Sequence, residues 1–198
     1  FNKTINLATT GAGGMDTGSA PANGFIAIYV IYNPTTQTAA LYATNASGSI
    51  AGSTYGGSSG LPSGYTASAL LSVWPTNASG LLMVAFQRDR VIWRGINQAF
   101  STNSPAGSLT SFGISALVPP NAISVGGTTS MSSTAASFLN LNVAGDTNGT
   151  GQCNTGANQS GTSTFRDVPM ITPQTIFYAA SNSAGTPTFQ LNISEYTI

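Results

Sequence analysis

GLPSGYTASALLSVWPTNASGLLMVAFQRDRVIWRG, residues 60–95, decides the fold class. Two apolar runs of strand length, 67–74 and 81–87, flank Pro75-Thr-Asn-Ala-Ser-Gly80. Proline presets one backbone angle, and asparagine and glycine tolerate positive φ, so the cluster predicts a hairpin between two strands. A third run, Val91-Ile-Trp93, follows the polar corner Arg88-Asp89-Arg90. Leu70, Leu71, Val73, Leu81, Leu82, Met83, Val84 and Phe86 put apolar groups on both faces of these strands. Such strands are covered on both sides, by a second sheet or by another subunit.

Outward from this stretch the same punctuation continues. Strands are predicted at 4–8, 25–32, 39–44, 109–118, 138–143, 175–180 and 188–193, with 25–32 and 39–44 paired through the turn Asn33-Pro-Thr-Thr36. No segment repeats apolar residues at the helical period over three turns. The expectation is all-β: an antiparallel β-sandwich-type domain spanning 1–198, with 100–108 as the place where it would subdivide. Polar loops are expected at 45–60, 98–108 and 146–164, built from Ser, Thr, Asn and Gly. Loops of such length in compact domains are usually functional or disordered, and Tyr55 sits in the middle of the first.

Composition narrows the function. Charged residues make up 5% of the 198, against roughly 25% in an average soluble domain, and the net charge is zero. Five scattered cations offer no footprint for nucleic acid or for an anionic membrane surface. A hydrophobic fraction of 41% with 9% aromatics supplies enough apolar surface to order the chain. Hydroxyls and amides replace charge, a surface suited to sugars that need neutral hydrogen-bond partners. No basic-then-apolar leader opens the sequence at Phe1, which reads as the start of a processed piece. The longest apolar run, 25–32, is far shorter than a membrane span.

Catalytic chemistry finds little to use. The single cysteine, Cys153, forms no internal disulfide and reads as a small loop residue, and histidine is absent. The glycine-rich segment 11–19 has no lysine and no helical pattern behind it, so it is not a phosphate loop. Asp16, Asp89, Asp146, Asp167 and Glu195 are dispersed, whereas glycosidases need a carboxylate pair roughly 5–10 Å apart. No catalytic residue, metal site or cofactor is expected. One constellation stands out: Gln87-Arg-Asp-Arg-Val-Ile-Trp-Arg94 holds four of the ten charged residues beside one of the two tryptophans. Aromatic faces cover sugar rings and guanidinium forks grip hydroxyls or phosphates, so Arg88, Asp89, Arg90, Trp93 and Arg94, with Tyr55, are the candidate ligand residues. The bland alternative makes Trp93 core and the charges a solvated or inter-subunit ion pair.

Leu61-Pro-x-Gly-Tyr65-Thr66, Thr76-Asn77-x-x-Gly80 and Phe86-Gln87 resemble a domain near the ends of bacteriophage tail-fibre proteins. Gly13-Gly-Met-Asp-Thr-Gly-Ser19, Tyr29-Val-Ile-Tyr-Asn-Pro34 and Leu41 resemble its upstream segment, and Val118-Pro-Pro-Asn-Ala122, Gln174-Thr-Ile-Phe-Tyr178 and Ile193-Ser-Glu-Tyr196 its closing strands. Where that family often has an arginine pair, Ala69 and Leu70 stand here. The resemblance implies a virion protein assembled in the bacterial cytoplasm, so the six Asn-x-Ser/Thr triplets read as turns rather than glycosylation acceptors. It implies a homotrimer joined to the rest of the tail, assembled with a tail-fibre chaperone, that binds a surface glycan, lipopolysaccharide or outer-membrane protein. The competing expectations are a structural shaft, collar or decoration domain and a glycan-degrading tailspike enzyme.

Overall fold

The computed structural model describes residues 2–198. Among them the fold is all-β: twelve strands, no helix, and every pairing between strands antiparallel. The chain forms two compact units, one ending at Met83 and including Pro119–Asn121, the other comprising Val84–Val118 and Ala122–Ile198. Residues 100–108 lie inside the second unit.

The first unit is built on β1 (Phe25–Asn33), flanked by β2 (Thr38–Asn45) and β3 (Ala67–Pro75). The predicted pairing of 25–32 with 39–44 is present, and Asn33 Oδ1 accepts from the Thr35 amide at 3.0 Å to hold the turn. Residues 4–8, expected as a strand, form none. Instead the N-terminal segment lies along β2: Asp16 N donates to Ala43 O at 2.7 Å and Ala43 N to Gly14 O at 3.0 Å. This drops Met15 into a core with Ile26 and Ala43. The glycine-rich segment is therefore an edge packed on a sheet.

The predicted hairpin through 75–80 is only a turn. Asn77 Oδ1 accepts from the Ser79 and Leu81 amides at 2.9 and 3.0 Å, and one bridge joins Thr76 to Leu82. The two runs then part: β3 pairs with β1, while β4 (Ala85–Arg88) belongs to another sheet. The Trp74 indole N–H donates to Met83 O at 2.9 Å where a longer ladder would have continued. Nor are these strands covered on both faces within the chain, since Leu71 of β3 and Phe86 of β4 are 40% and 63% exposed.

The second unit stacks two sheets. One has the order β10-β7-β12-β5-β4, with β5 (Val91–Thr102), β7 (Ser124–Ser133), β10 (Ser160–Pro169) and β12 (Pro187–Thr197). The other has the order β6-β11-β8-β9, with β6 (Ala106–Gly113), β8 (Phe138–Ala144), β9 (Cys153–Asn158) and β11 (Thr175–Asn182). Ile92, Val125, Phe165, Leu191, Ile193 and Tyr196 of the first sheet meet Val143 and Ile176 of the second, and Met131 and Phe189 meet Leu139, Leu141 and Ala180. Two apolar inner faces with polar outer ones give the layered pattern of a sandwich.

Several strands run where loops were expected. Residues 98–108 form the end of β5 and the start of β6, and 146–164 contain β9 and half of β10. Cys153 opens β9 and packs its side chain against the core. β7 was not anticipated, and the run expected at 109–118 ends as β6 at Gly113. In these strands Thr129, Thr155, Gly127 and Ala157 take the inward positions that apolar residues usually fill. Thr129 Oγ1 and Thr155 Oγ1, 3.1 Å apart, hydrogen-bond across the two sheets. Threonine fits a pleated surface well, but it carries no apolar alternation to read.

Tyr196 is fully buried in this core, and burial pushes its phenol well above the ordinary value near 10, with Arg94 opposing. The folded state thus keeps a proton that the unfolded chain loses above about pH 10. Stability should be flat from pH 6 to 9 and fall above pH 10 by about 1.4 kcal/mol per pH unit for this tyrosine. Urea midpoints at pH 8, 10 and 11 test this; a midpoint unchanged at pH 11 would refute it.

Candidate functional site

The outer face of the five-stranded sheet is set by register. Ile92 pairs with Tyr196, and Tyr196 with Val125, all inward. One residue along, Trp93 pairs with Glu195 and Glu195 with Gly126, so these side chains point outward. A bulge between Ile193 and Glu195 makes this possible: it shifts β12 by one residue, so that Glu195 faces outward instead of sharing the inward face of Ile193, and Tyr196 turns inward. Phe86 on β4 pairs with Trp93, and their rings lie 5.8 Å apart, tilted by 33°.

Glu195 is only 8% exposed although it sits on an outer face. The absence of a side chain at Gly126 makes its place: a Cβ there would collide with Glu195 Oε1. Arg166 Nη1 lies 3.9 Å from Glu195 Oε2, and the Arg166 side chain is itself 68% exposed. Beyond the carboxylate the face turns wholly neutral. Gln190 and Asn192 on β12 stand beside Ser130 and Thr128 on β7, with Thr162 and Thr164 on β10 next in line. Asn192 Nδ2 donates to Thr128 Oγ1 at 3.3 Å. The result is an aromatic pair, a recessed carboxylate, an exposed guanidinium and a field of hydroxyls and amides on one surface. Such a surface can stack a sugar ring and exchange hydrogen bonds with its hydroxyls.

The residues expected from the sequence are distributed unevenly. Trp93 and Arg88 share the face with Phe86. Asp89 and Arg90 form the two-residue turn between β4 and β5, with Asp89 at φ 55° and its carbonyl accepting from Gln87 Nε2 at 2.8 Å. Arg94 points the other way. Its Nη1 donates to Leu117 O at 2.7 Å, pinning the turn at 114–118, and burial lowers its pKa from the ordinary value. Arg94 therefore holds the fold and is turned away from any ligand on the Trp93 face. Phe86, Glu195 and Arg166 were missed: Phe86 read as core, and the other two are separated from Trp93 by most of the second unit in sequence.

Tyr55 belongs to the first unit, where it ties down its loop. Its ring meets Tyr29 and Tyr42 edge-on at 5.7 and 5.0 Å, and its hydroxyl donates to Asp16 Oδ2 at 3.0 Å beside Ser59 Oγ at 2.5 Å. Burial pushes the phenol above its ordinary value, and the Asp16 carboxylate adds to that shift. Tyr29 and Tyr42 donate to Gly52 O and Gly60 O, each at 3.1 Å, and Asn121 pairs with both backbone groups of Ala51 at 2.8 Å. The long loop is ordered by these bonds. Tyr55→Phe should cost the first unit about 1 kcal/mol through lost hydrogen bonds, and Tyr55→Ala about 2 kcal/mol through lost packing as well. Denaturant midpoints equal to wild type for both would show that the cluster is not structural.

Asp146 caps its own turn. The amide and hydroxyl of Thr150, at 2.9 and 2.8 Å, hold its carboxyl below the usual range. Compared with protein-family models, curated proteins and solved structures, the chain matches none.

Proposed function

We propose that this chain is a virion domain of a bacteriophage tail fibre that attaches to a bacterial surface saccharide, lipopolysaccharide included. The observation that supports it most is the outer face of the five-stranded sheet, where Phe86 and Trp93 adjoin recessed Glu195, exposed Arg166 and a neutral array of amides and hydroxyls. The tail-fibre resemblance in residues 61–87 supplies the phage context. The domain acts by adhesion without bond cleavage, holds no cofactor, and is assembled in the bacterial cytoplasm with a chaperone before joining the tail.

The tail-fibre resemblance implies a homotrimer, and exposed apolar residues support a neighbour that covers them. Leu81, Val84, Ile96, Ile123 and Ile171 are each more than half exposed, which a low-charge chain tolerates best when neighbours cover them. Sedimentation should give three times the 20.0 kDa of one chain, and a folded monomer at micromolar concentration would contradict it. Three sites on one fibre multiply a weak contact by avidity.

A structural fibre segment is the second reading, favoured by the same exposed residues if they are wholly consumed in packing. Labelled full-length chain applied to intact, periodate-treated and protease-treated bacteria separates the two. Binding lost after periodate and kept after protease is expected. Binding to no bacterial surface would leave the structural segment, and loss only after protease would move the receptor to an outer-membrane protein.

A further inference from the structure

We propose that Asn148 is a modification site: its side-chain amide is lost through attack by the Gly149 backbone nitrogen, which turns a neutral chain into an anionic one as it ages. This chemistry is independent of the adhesion reading above.

Asparagine loses its amide most readily where glycine follows, because no Cβ obstructs the backbone nitrogen that must reach Cγ. Only Asn23 and Asn148 precede glycine in this chain. The fold treats the two pairs differently. Gly24 is buried; its amide donates to Thr76 Oγ1 at 3.1 Å, and its carbonyl accepts from the Thr76 amide at 2.9 Å. The Asn23 amide donates to Asn77 O at 2.9 Å. Bringing the Gly24 nitrogen onto Asn23 Cγ would break a buried hydrogen bond, so this pair is protected.

Asn148 is exposed, in the turn between β8 and β9. Asp146 Oδ1 accepts from the amides of Asn148 and Thr150, both at 2.9 Å, and passes over Gly149 between them. The Gly149 amide reaches Asp146 O at 3.3 Å, beyond the usual limit of roughly 3.2 Å. Asn148 Nδ2 stands 3.5 Å from Asp146 Oδ2, longer still. The attacking nitrogen and the amide it attacks are thus both lightly held and open to water.

The step balances with hydroxide and water alone. The Gly149 nitrogen gives its proton to hydroxide and bonds to Asn148 Cγ; the Cγ–Nδ2 bond breaks, ammonia leaves, and a succinimide remains. Water then opens the ring at either carbonyl, giving aspartate or isoaspartate. The net charge moves from zero to one negative charge. In the aspartate product, Asp146 faces a carboxylate oxygen where it faced an N–H, so repulsion replaces attraction in the turn.

Incubation of the folded full chain in ¹⁸O-labelled water at pH 7 and pH 9, followed by ion exchange and peptide mass mapping, tests this. One anionic species should accumulate, faster at pH 9, eluting with the Asn148→Asp variant. Its peptide containing position 148 should carry one ¹⁸O, as a mixture of aspartate and isoaspartate. Asn23 should convert at least about tenfold more slowly, the scale set by breaking a buried hydrogen bond. In urea the two pairs should convert at similar rates, because the protection of Asn23 belongs to the fold. Asn148→Gln should abolish the anionic species. A folded chain whose Asn148 stays intact while the urea-unfolded chain converts would overturn the site. So would equal rates at Asn23 and Asn148 in the folded chain, or an anionic species that survives Asn148→Gln.

Discussion

Gly127→Ala is expected to unfold the second unit or to lower its stability by at least about 3 kcal/mol, above the usual overpacking range of roughly 1–3 kcal/mol. Gly127 lies in β7 between Phe165 of β10 and Ile193 of β12, buried in the middle of the sheet. A Cβ there would overlap the carbonyl oxygen of Asn192 and approach Ile193 Cα to 3.0 Å. Side chains can rotate away from an added methyl group, but a backbone held in two ladders cannot. The bulge that adjoins this contact in β12 also sends Glu195 outward. Loss of near-ultraviolet circular dichroism, or a large drop in urea midpoint, is the expected readout. Gly113→Ala is the control, since a Cβ there meets nothing within 4 Å. A Gly127→Ala protein as stable as wild type would mean that the strands do not approach as described.

Trp93→Ala should weaken binding to host polysaccharide about fivefold or more per site, because stripping an aromatic from a binding patch commonly costs about 1 kcal/mol or more. In a trimer gripping a repetitive surface the loss in avidity is larger. Trp93 is half-buried, so the change costs less stability than the roughly 3–5 kcal/mol of a fully buried tryptophan. Phe86→Ala should act in the same direction by removing the ring stacked beside it. Arg94→Gln should not: its guanidinium serves Leu117 on the other face, so it should lower stability and leave saccharide affinity intact. Equal losses of affinity in both variants would place the contact elsewhere.

The sequence made the all-β class legible, and with it the β1–β2 hairpin, β8, β11 and β12, because β8 and β12 alternate apolar and polar residues while β1 and β11 are short apolar runs bounded by turn residues. It misread the hairpin through 75–80, since a turn signal states that the chain reverses without stating how far the two arms stay together. It misread 146–164 as loop because Thr129 and Thr155 satisfy each other across the core without apolar side chains. Trp93 was visible as a candidate because it stands among arginines. Glu195 and Arg166 were not, because only the pairing of β12 with β5 and β7 brings them beside it. The bulge and the bare backbone of Gly126 that recess the carboxylate leave no mark in composition. Tyr55 looked like a free aromatic in a polar loop, and its partner Asp16 lies thirty-nine positions away.

The chain has two tryptophans, one for each outcome. Trp74 is tied through its indole N–H to Met83 O in the first unit, while Trp93 lies on the outer face beside Phe86. Fluorine NMR of the 5-fluorotryptophan-labelled chain, with extracted bacterial surface polysaccharide added, therefore reads the binding face directly. The expected result is a shifted or broadened Trp93 resonance with Trp74 unchanged. Polysaccharide that binds while Trp93 stays unperturbed, or that leaves both resonances untouched because it does not bind, would contradict adhesion through this sheet.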